Sequence, residues 1–240
     1  MANKTEYIDS QTQKRLIRDI SDIFKNPLTE HCIYYQHDDT NMLKGYAMII
    51  GPPDSLYQHG FYFFEFHFPT NYPQSPPTVK TITNDGYTRF HPNLYKNGKV
   101  CLSILNTWKG EGWTSCQTIK TILLTLVSIL DDKPLLHEPG IRENNIDFEK
   151  YNKIIEYKNI THSFLDYVSM HLLPIQFLSF SSIMKEYAVK NKESILNFAK
   201  EKSEKYDTPI MTIINIYRMK TIIDWHKTYK NLQLLYSQLK

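Results

Sequence analysis

Cysteine is scarce in this chain of 240 residues: it occurs at Cys32, Cys101 and Cys116. None forms a Cys-x-x-Cys pair and no histidine stands at zinc-ligand spacing beside them, so neither a disulfide framework nor a metal site is expected. Long apolar runs are missing too. The opening Met1-Ala-Asn-Lys-Thr-Glu has no apolar segment, and nothing later approaches the roughly 18 uninterrupted apolar residues of a membrane span. That predicts a soluble protein of the cytoplasm or nucleus with no membrane partner. Charge of one sign is not in large excess: the net charge is +3 and the pI about 8.5, too mild for the basic stripe of a nucleic-acid binder. Repeats and low-complexity linkers are also absent. The length suits one ordinary domain with an appendage and a substantial core.

What is present reads as an α+β chain. Residues 10–25 place Leu16, Ile17, Ile20, Ile23 and Phe24 at helical spacing, with Asp9 or Ser10 as N-cap and Pro27 just beyond. Lys14, Arg15 and Arg18 share the outer face of that helix, which on residue type alone is a solvated surface as readily as a binding one. Segments 32–36, 43–50, 61–68 and 78–83 are β-branched or aromatic and closely connected, which predicts a four-stranded antiparallel meander. In the third, Tyr62, Phe64, Phe66 and Phe68 form a core face opposite Phe61, Phe63, Glu65 and His67. Pro69, Pro73, Pro76 and Pro77 end that strand, and the tyrosine before Pro73 favours a cis bond there.

Helical spacing returns at Ile119, Ile122, Leu123, Leu126, Val127 and Leu130, so residues 116–130 are predicted to form a buried helix. More helix follows around Phe148 to Val168. From Leu172 onward the chain reads as helices broken at Pro174 and restarted by Thr208-Pro209. Ile222, Trp225, Tyr229, Leu232, Tyr236 and Leu239 make a short heptad seam, expected to pack on its own domain rather than on a partner.

The chemistry concentrates in the run from Arg89 to Trp108, where His91-Pro92-Asn93 precedes Cys101 by a short loop. A thiolate attacks acyl carbon readily and also leaves readily, and a carboxamide steadies an oxyanion without becoming charged. The Gly- and Lys-containing loop predicts an exposed Cys101, whereas Cys32 and Cys116 read as small buried hydrophobes.

This run strongly resembles the active-site stretch of ubiquitin-conjugating enzymes, as do Phe68-Pro-Thr-Asn-Tyr-Pro-Gln-Ser-Pro-Pro77 and Gly51-Pro-Pro-Asp-Ser-Leu-Tyr57. The resemblance covers roughly residues 10–170 and implies a catalytic domain over 1–170, with a helical extension over 171–240 packed on or near it. It also implies acceptance of ubiquitin, or a ubiquitin-like protein, from an activating enzyme as a thioester on Cys101. The acyl group then passes to a protein lysine or a ligase, with no cofactor needed. Asn93 would donate to the oxyanion or brace the loop. In segment 131–140, where the family has a polar or acidic residue, His137 would act as base, with Glu138 as the alternative. Lys14, Arg15 and Arg18 would meet the activating enzyme.

Several positions depart from the family pattern. Ser103 stands where many members have Asp, and residues 106–112 lengthen the loop after the cysteine, as in the larger branch with extended loops and C-terminal additions. Gln74 replaces a ligase-binding Phe, and Thr114-Ser115-Cys116 replaces a Ser-Pro-Ala turn, which implies restricted ligase use. Two further functions fit the residues less well. One is a non-catalytic ubiquitin-binding scaffold; the other is a cysteine hydrolase, for which no recognisable signature exists.

Overall fold

The computed structural model describes residues 8–239; residues 1–7, with the sequence reading made of them, lie outside the described residues. Helix α1 spans Ser10–Lys25, and its N-cap is Asp9, whose carboxylate accepts from the Thr12 amide at 2.7 Å. Leu16 and Ile23 face inward. Ile17 and Phe24 do not: they are 53% and 62% exposed, so the buried stripe is narrower than the sequence reading had it.

Strands β1 (Ile33–His37), β2 (Lys44–Ile50), β3 (Phe61–His67) and β4 (Thr78–Thr81) pair antiparallel in chain order. The meander therefore stands as expected. Period two then sends β3 side chains to two different cores. Tyr62, Phe64 and Phe66 join Leu16 and Ile23 of α1 together with Ile119, Ile122, Leu123 and Leu126 of helix α2 (Ile119–Ser128). Phe61 and Phe63 on the opposite face are fully buried as well, in a second core. Each ring taken fully from water stabilises by roughly 2–3 kcal/mol.

The second core is roofed by residues beyond α3 (Phe148–Lys158). A π-helical stretch, Asn159–Asp166, supplies Ile160 and Phe164; α4 (Ser181–Lys190), α5 (Lys192–Lys205) and α6 (Trp225–Gln238) supply Met184, Ala188, Ile195, Ala199, Trp225, Leu232 and Tyr236. Asn159 ties the layers together. Its amide accepts from the Tyr62 hydroxyl and donates to the Gln58 carbonyl, both at 2.7 Å. Gly60 permits this approach, since a Cβ there would lie 1.9 Å from Asn159 Oδ1.

The helical reading after Thr208-Pro209 is corrected by the structure. Residues Ile210–Ile214 (β5) and Met219–Ile223 (β6) form an antiparallel hairpin, and the extension is not wholly helical. The run is rich in β-branched side chains, and Thr212, Ile214, Met219, Thr221 and Ile223 alternate inward, a strand's period. Ile222 consequently lies in a strand, outside the seam assigned to it. No helix among the described residues is long and apolar enough to cross a membrane.

Candidate active site

The loop carrying Asn93 and the loop carrying Cys101 are stitched together by main chain. The Cys101 amide donates to the Asn93 carbonyl at 2.9 Å, and the Leu94 amide donates to the His91 carbonyl at 2.9 Å. His91 is fully buried, and its Nδ1 accepts from the Asn93 amide at 3.0 Å. Burial, then the neighbouring His137 and Arg89, hold this imidazole far below the usual histidine range. It is a neutral structural acceptor that braces the loop and does not act as a base. The Asn93 side chain donates through Nδ2 to the Cys101 carbonyl at 2.5 Å. In this conformation Asn93 braces the loop, one of the two roles left open for it.

Cys101 is not exposed as expected; only 2% of the residue is accessible. Its Sγ–H donates to the Thr107 carbonyl at 2.7 Å. The physical cause is the 106–112 loop, which folds back over the sulfur. The Thr107 hydroxyl accepts from the Leu102 amide at 2.9 Å and lies 3.0 and 3.1 Å from the Val100 and Leu102 carbonyls. Asn106 pins the far end by accepting from the Trp113 amide at 2.8 Å. Trp108, Lys109, Gly110 and Glu111 remain exposed, so what covers the thiol is a thin surface loop.

The other two cysteines also differ from expectation. Cys116 is exposed and Cys32 half-buried, because α2 starts at Ile119 and leaves Cys116 in the preceding turn.

His137 stands beside His91, with ring centroids 4.8 Å apart, and its Nε2 pairs with Asp131 Oδ2 at 2.7 Å. That carboxylate fixes the ring through Nε2 and leaves Nδ1 unengaged by it. Glu138 is engaged elsewhere, accepting from the Tyr217 hydroxyl at 2.6 Å.

Of the basic residues on α1, Lys14 is exposed and Arg18 keeps 71% of its side chain in solvent. Arg15 does not share that outer face. Only 10% of its side chain is accessible; Nε bonds Asp19 Oδ1 at 2.9 Å, while the guanidinium also donates to the Ser115 and Gln117 carbonyls. It fastens α1 to the turn before α2. Gln74, Thr114 and Ser115 are all exposed. Trp113 draws their two loops together by donating to the Pro73 carbonyl at 2.7 Å, just after the cis Tyr72-Pro73 bond.

Sequence reasoning missed Thr107, Asp131 and Arg89. Arg89 donates to the His91 carbonyl at 3.1 Å and to that of Pro92. Its position two residues before His91 was the available signal.

Residues 15–160 match the family model described as ubiquitin-conjugating enzyme. Ubiquitin-conjugating enzyme E2 Z of Xenopus tropicalis is 39% identical over 158 residues, which are 65% of this chain and 50% of that protein. The Homo sapiens E2 Z is 40% identical over 149 residues, 61% of this chain and 42% of that protein. The chain thus spans about half the length of these relatives. Ubiquitin-conjugating enzyme E2 13 of Arabidopsis thaliana is 35% identical over 158 residues, 60% of this chain and 92% of that protein. Among solved structures, human ubiquitin-conjugating enzyme E2 G1 superposes with a TM-score of 0.43 at 36% identity, over 48% of this chain and 90% of that one.

Proposed function

The chain belongs to the ubiquitin-conjugating enzyme family, and on that premise we propose that it carries ubiquitin or a ubiquitin-like protein as a thioester on Cys101. The Cys101 thiolate attacks the thioester carbonyl presented by an activating enzyme. A new C–S bond forms, the C–S bond to the activating enzyme breaks, and that enzyme's cysteine leaves as a thiolate. A lysine amine, or a ligase cysteine, then attacks the Cys101 thioester. With an amine the C–N bond forms, the Cys101 sulfur leaves, and the ammonium proton passes to His137 Nδ1 or to water. Asn93, released from the Cys101 carbonyl, donates to the oxyanion of either intermediate.

The observation carrying this reading is the Asn93–Cys101 pairing within a segment that matches the family model. In this reading the catalytic part runs to about residue 170, and residues 171–240 buttress it. Lys14 and Arg18 meet the activating enzyme, whereas Gln74, Thr114 and Ser115 form a polar ligase-facing rim without an aromatic anchor, which restricts ligase choice. The compartment is the cytoplasm or nucleus, where those partners reside.

A second reading, a non-catalytic binding module, is favoured by the covered thiol. Incubation with activating enzyme, ATP and ubiquitin separates the two. The carrier reading requires an adduct that reductant removes and that free lysine discharges. The binding module leaves ubiquitin unattached.

A further inference from the structure

The turn between β5 and β6 reaches the catalytic loop. Its main chain is anchored by Asp147, a buried carboxylate whose Oδ2 accepts from the Asn215 and Ile216 amides at 2.9 and 3.0 Å. From that anchor Tyr217 extends between the 89–96 loop and the segment that carries Glu138. Its ring centroid lies 5.1 Å from the Arg89 guanidinium carbon, and Tyr95 walls the same guanidinium at 3.3 Å. Its hydroxyl donates to Glu138, and its carbonyl accepts from Lys96 Nζ at 3.1 Å. Burial, followed by the Glu138 carboxylate, pushes the Tyr217 phenol far up, so it remains a hydrogen-bond donor throughout the working range.

We propose that Tyr217 is a positioning residue for the thioester site, clamping Arg89 against the His91 and Pro92 carbonyls with its ring and holding the 137–140 segment with its hydroxyl. The inference rests on the acyl-transfer reading above. Arg89 spends its donors on two consecutive carbonyls immediately before Asn93. A guanidinium has many rotamers, and aromatic walls are what confine it to one. Met219 extends the same contact from β6, its Sδ accepting from the Arg89 amide at 3.0 Å. Tyr151 holds the Arg89 carbonyl at 2.9 Å and meets the Tyr217 ring edge-on at 5.8 Å. The direction of the Asn93 amide group thus depends on residues that lie far along the chain.

The two steps of transfer should respond unequally. Loading exchanges one thioester for another with a thiolate as the attacking group. Discharge uses a neutral amine, a weaker nucleophile, and leans more on a well-held oxyanion donor. Small displacements of positioning groups are enough to slow such a step tenfold or more.

The test uses the full chain with Tyr217→Leu and Tyr217→Phe. Amide hydrogen exchange at Asn93, Leu94 and Cys101 should quicken about tenfold in Tyr217→Leu and by less than threefold in Tyr217→Phe, which keeps the ring. Tyr217→Phe should instead loosen the Glu138 and Ile141 amides, since it lacks the hydroxyl. In single-turnover discharge to lysine, Tyr217→Leu should lower kcat about tenfold with KM for lysine and loading within twofold, and Tyr217→Phe should recover most of the rate. Unchanged exchange across residues 89–101 in Tyr217→Leu overturns the proposal. So does a parallel fall of loading and discharge that Tyr217→Phe does not rescue, as from a merely structural residue. Failure of the unaltered protein to take ubiquitin would sink the acyl-transfer reading instead, while the exchange data would still decide whether Tyr217 holds the loop.

Discussion

Replacing Thr107 by valine should uncover Cys101. The Thr107 hydroxyl accepts from the Leu102 amide and donates to one of the Val100 and Leu102 carbonyls, fastening the loop whose own carbonyl takes the Cys101 thiol proton. Valine has nearly the same shape but neither hydrogen bond. Two net hydrogen bonds of about 1 kcal/mol each weaken the closed loop by about 2 kcal/mol. A change of that size raises the open population about 30-fold. Opening and closing of a short surface loop outpaces alkylation, so the rate of modification tracks the open fraction. Iodoacetamide labelling of Cys101, in a background with Cys32 and Cys116 changed to serine, should therefore accelerate about 30-fold in Thr107→Val. An unchanged rate would refute the account of what holds the loop. Labelling of the parent as fast as a free thiol would refute the cover itself.

Two further expectations concern stability. Arg15→Ala removes the guanidinium from buried Asp19, whose other oxygen accepts from the Tyr72 hydroxyl at 2.6 Å, so urea denaturation should show a loss of about 3 kcal/mol; Arg18→Ala, at an exposed position, should change stability by less than about 0.5 kcal/mol, and equal losses would contradict the inward placement of Arg15. His59 bonds the Tyr187 hydroxyl of α4 at 2.9 Å and lies 3.3 Å from the Ser194 hydroxyl of α5, and burial pushes its imidazole down to about 4 from 6.5. The folded protein keeps it neutral, so its contribution is complete above pH 6.5 and is lost as pH falls towards 4, about 3 kcal/mol in all. Denaturation titrations should show a flatter profile in that window for His59→Gln, and an identical slope would refute the assignment.

Local features were legible where one element carries the whole signal. The alternation in 61–68 dictates a strand because its side chains must leave on two faces, and residue type and position narrowed the α1 cap to Asp9 or Ser10, of which the structure uses Asp9. The link between Asn93 and Cys101 spans eight residues and needs only a short loop. Burial of Phe61 and Phe63 was not legible, since it depends on helices more than a hundred residues later folding over them. The hairpin was hidden by Thr208-Pro209, which reads as a helix start. The competing period of two in Thr212, Ile214, Met219, Thr221 and Ile223 was the stronger cue. With that hairpin misread, Tyr217 had no route to Arg89 or Glu138. The thiol cover escaped because it is made by a few hydrogen bonds of Thr107 and Asn106, for which residue spacing gives no signal.

The central claim is that Cys101, covered in this conformation, and not the exposed Cys116, carries the acyl group. Intact-protein mass spectrometry after incubation with activating enzyme, ATP and ubiquitin tests it directly, comparing Cys101→Ala with Cys116→Ala. The account predicts one reductant-labile ubiquitin on Cys116→Ala and none on Cys101→Ala; an adduct that survives in Cys101→Ala would contradict it.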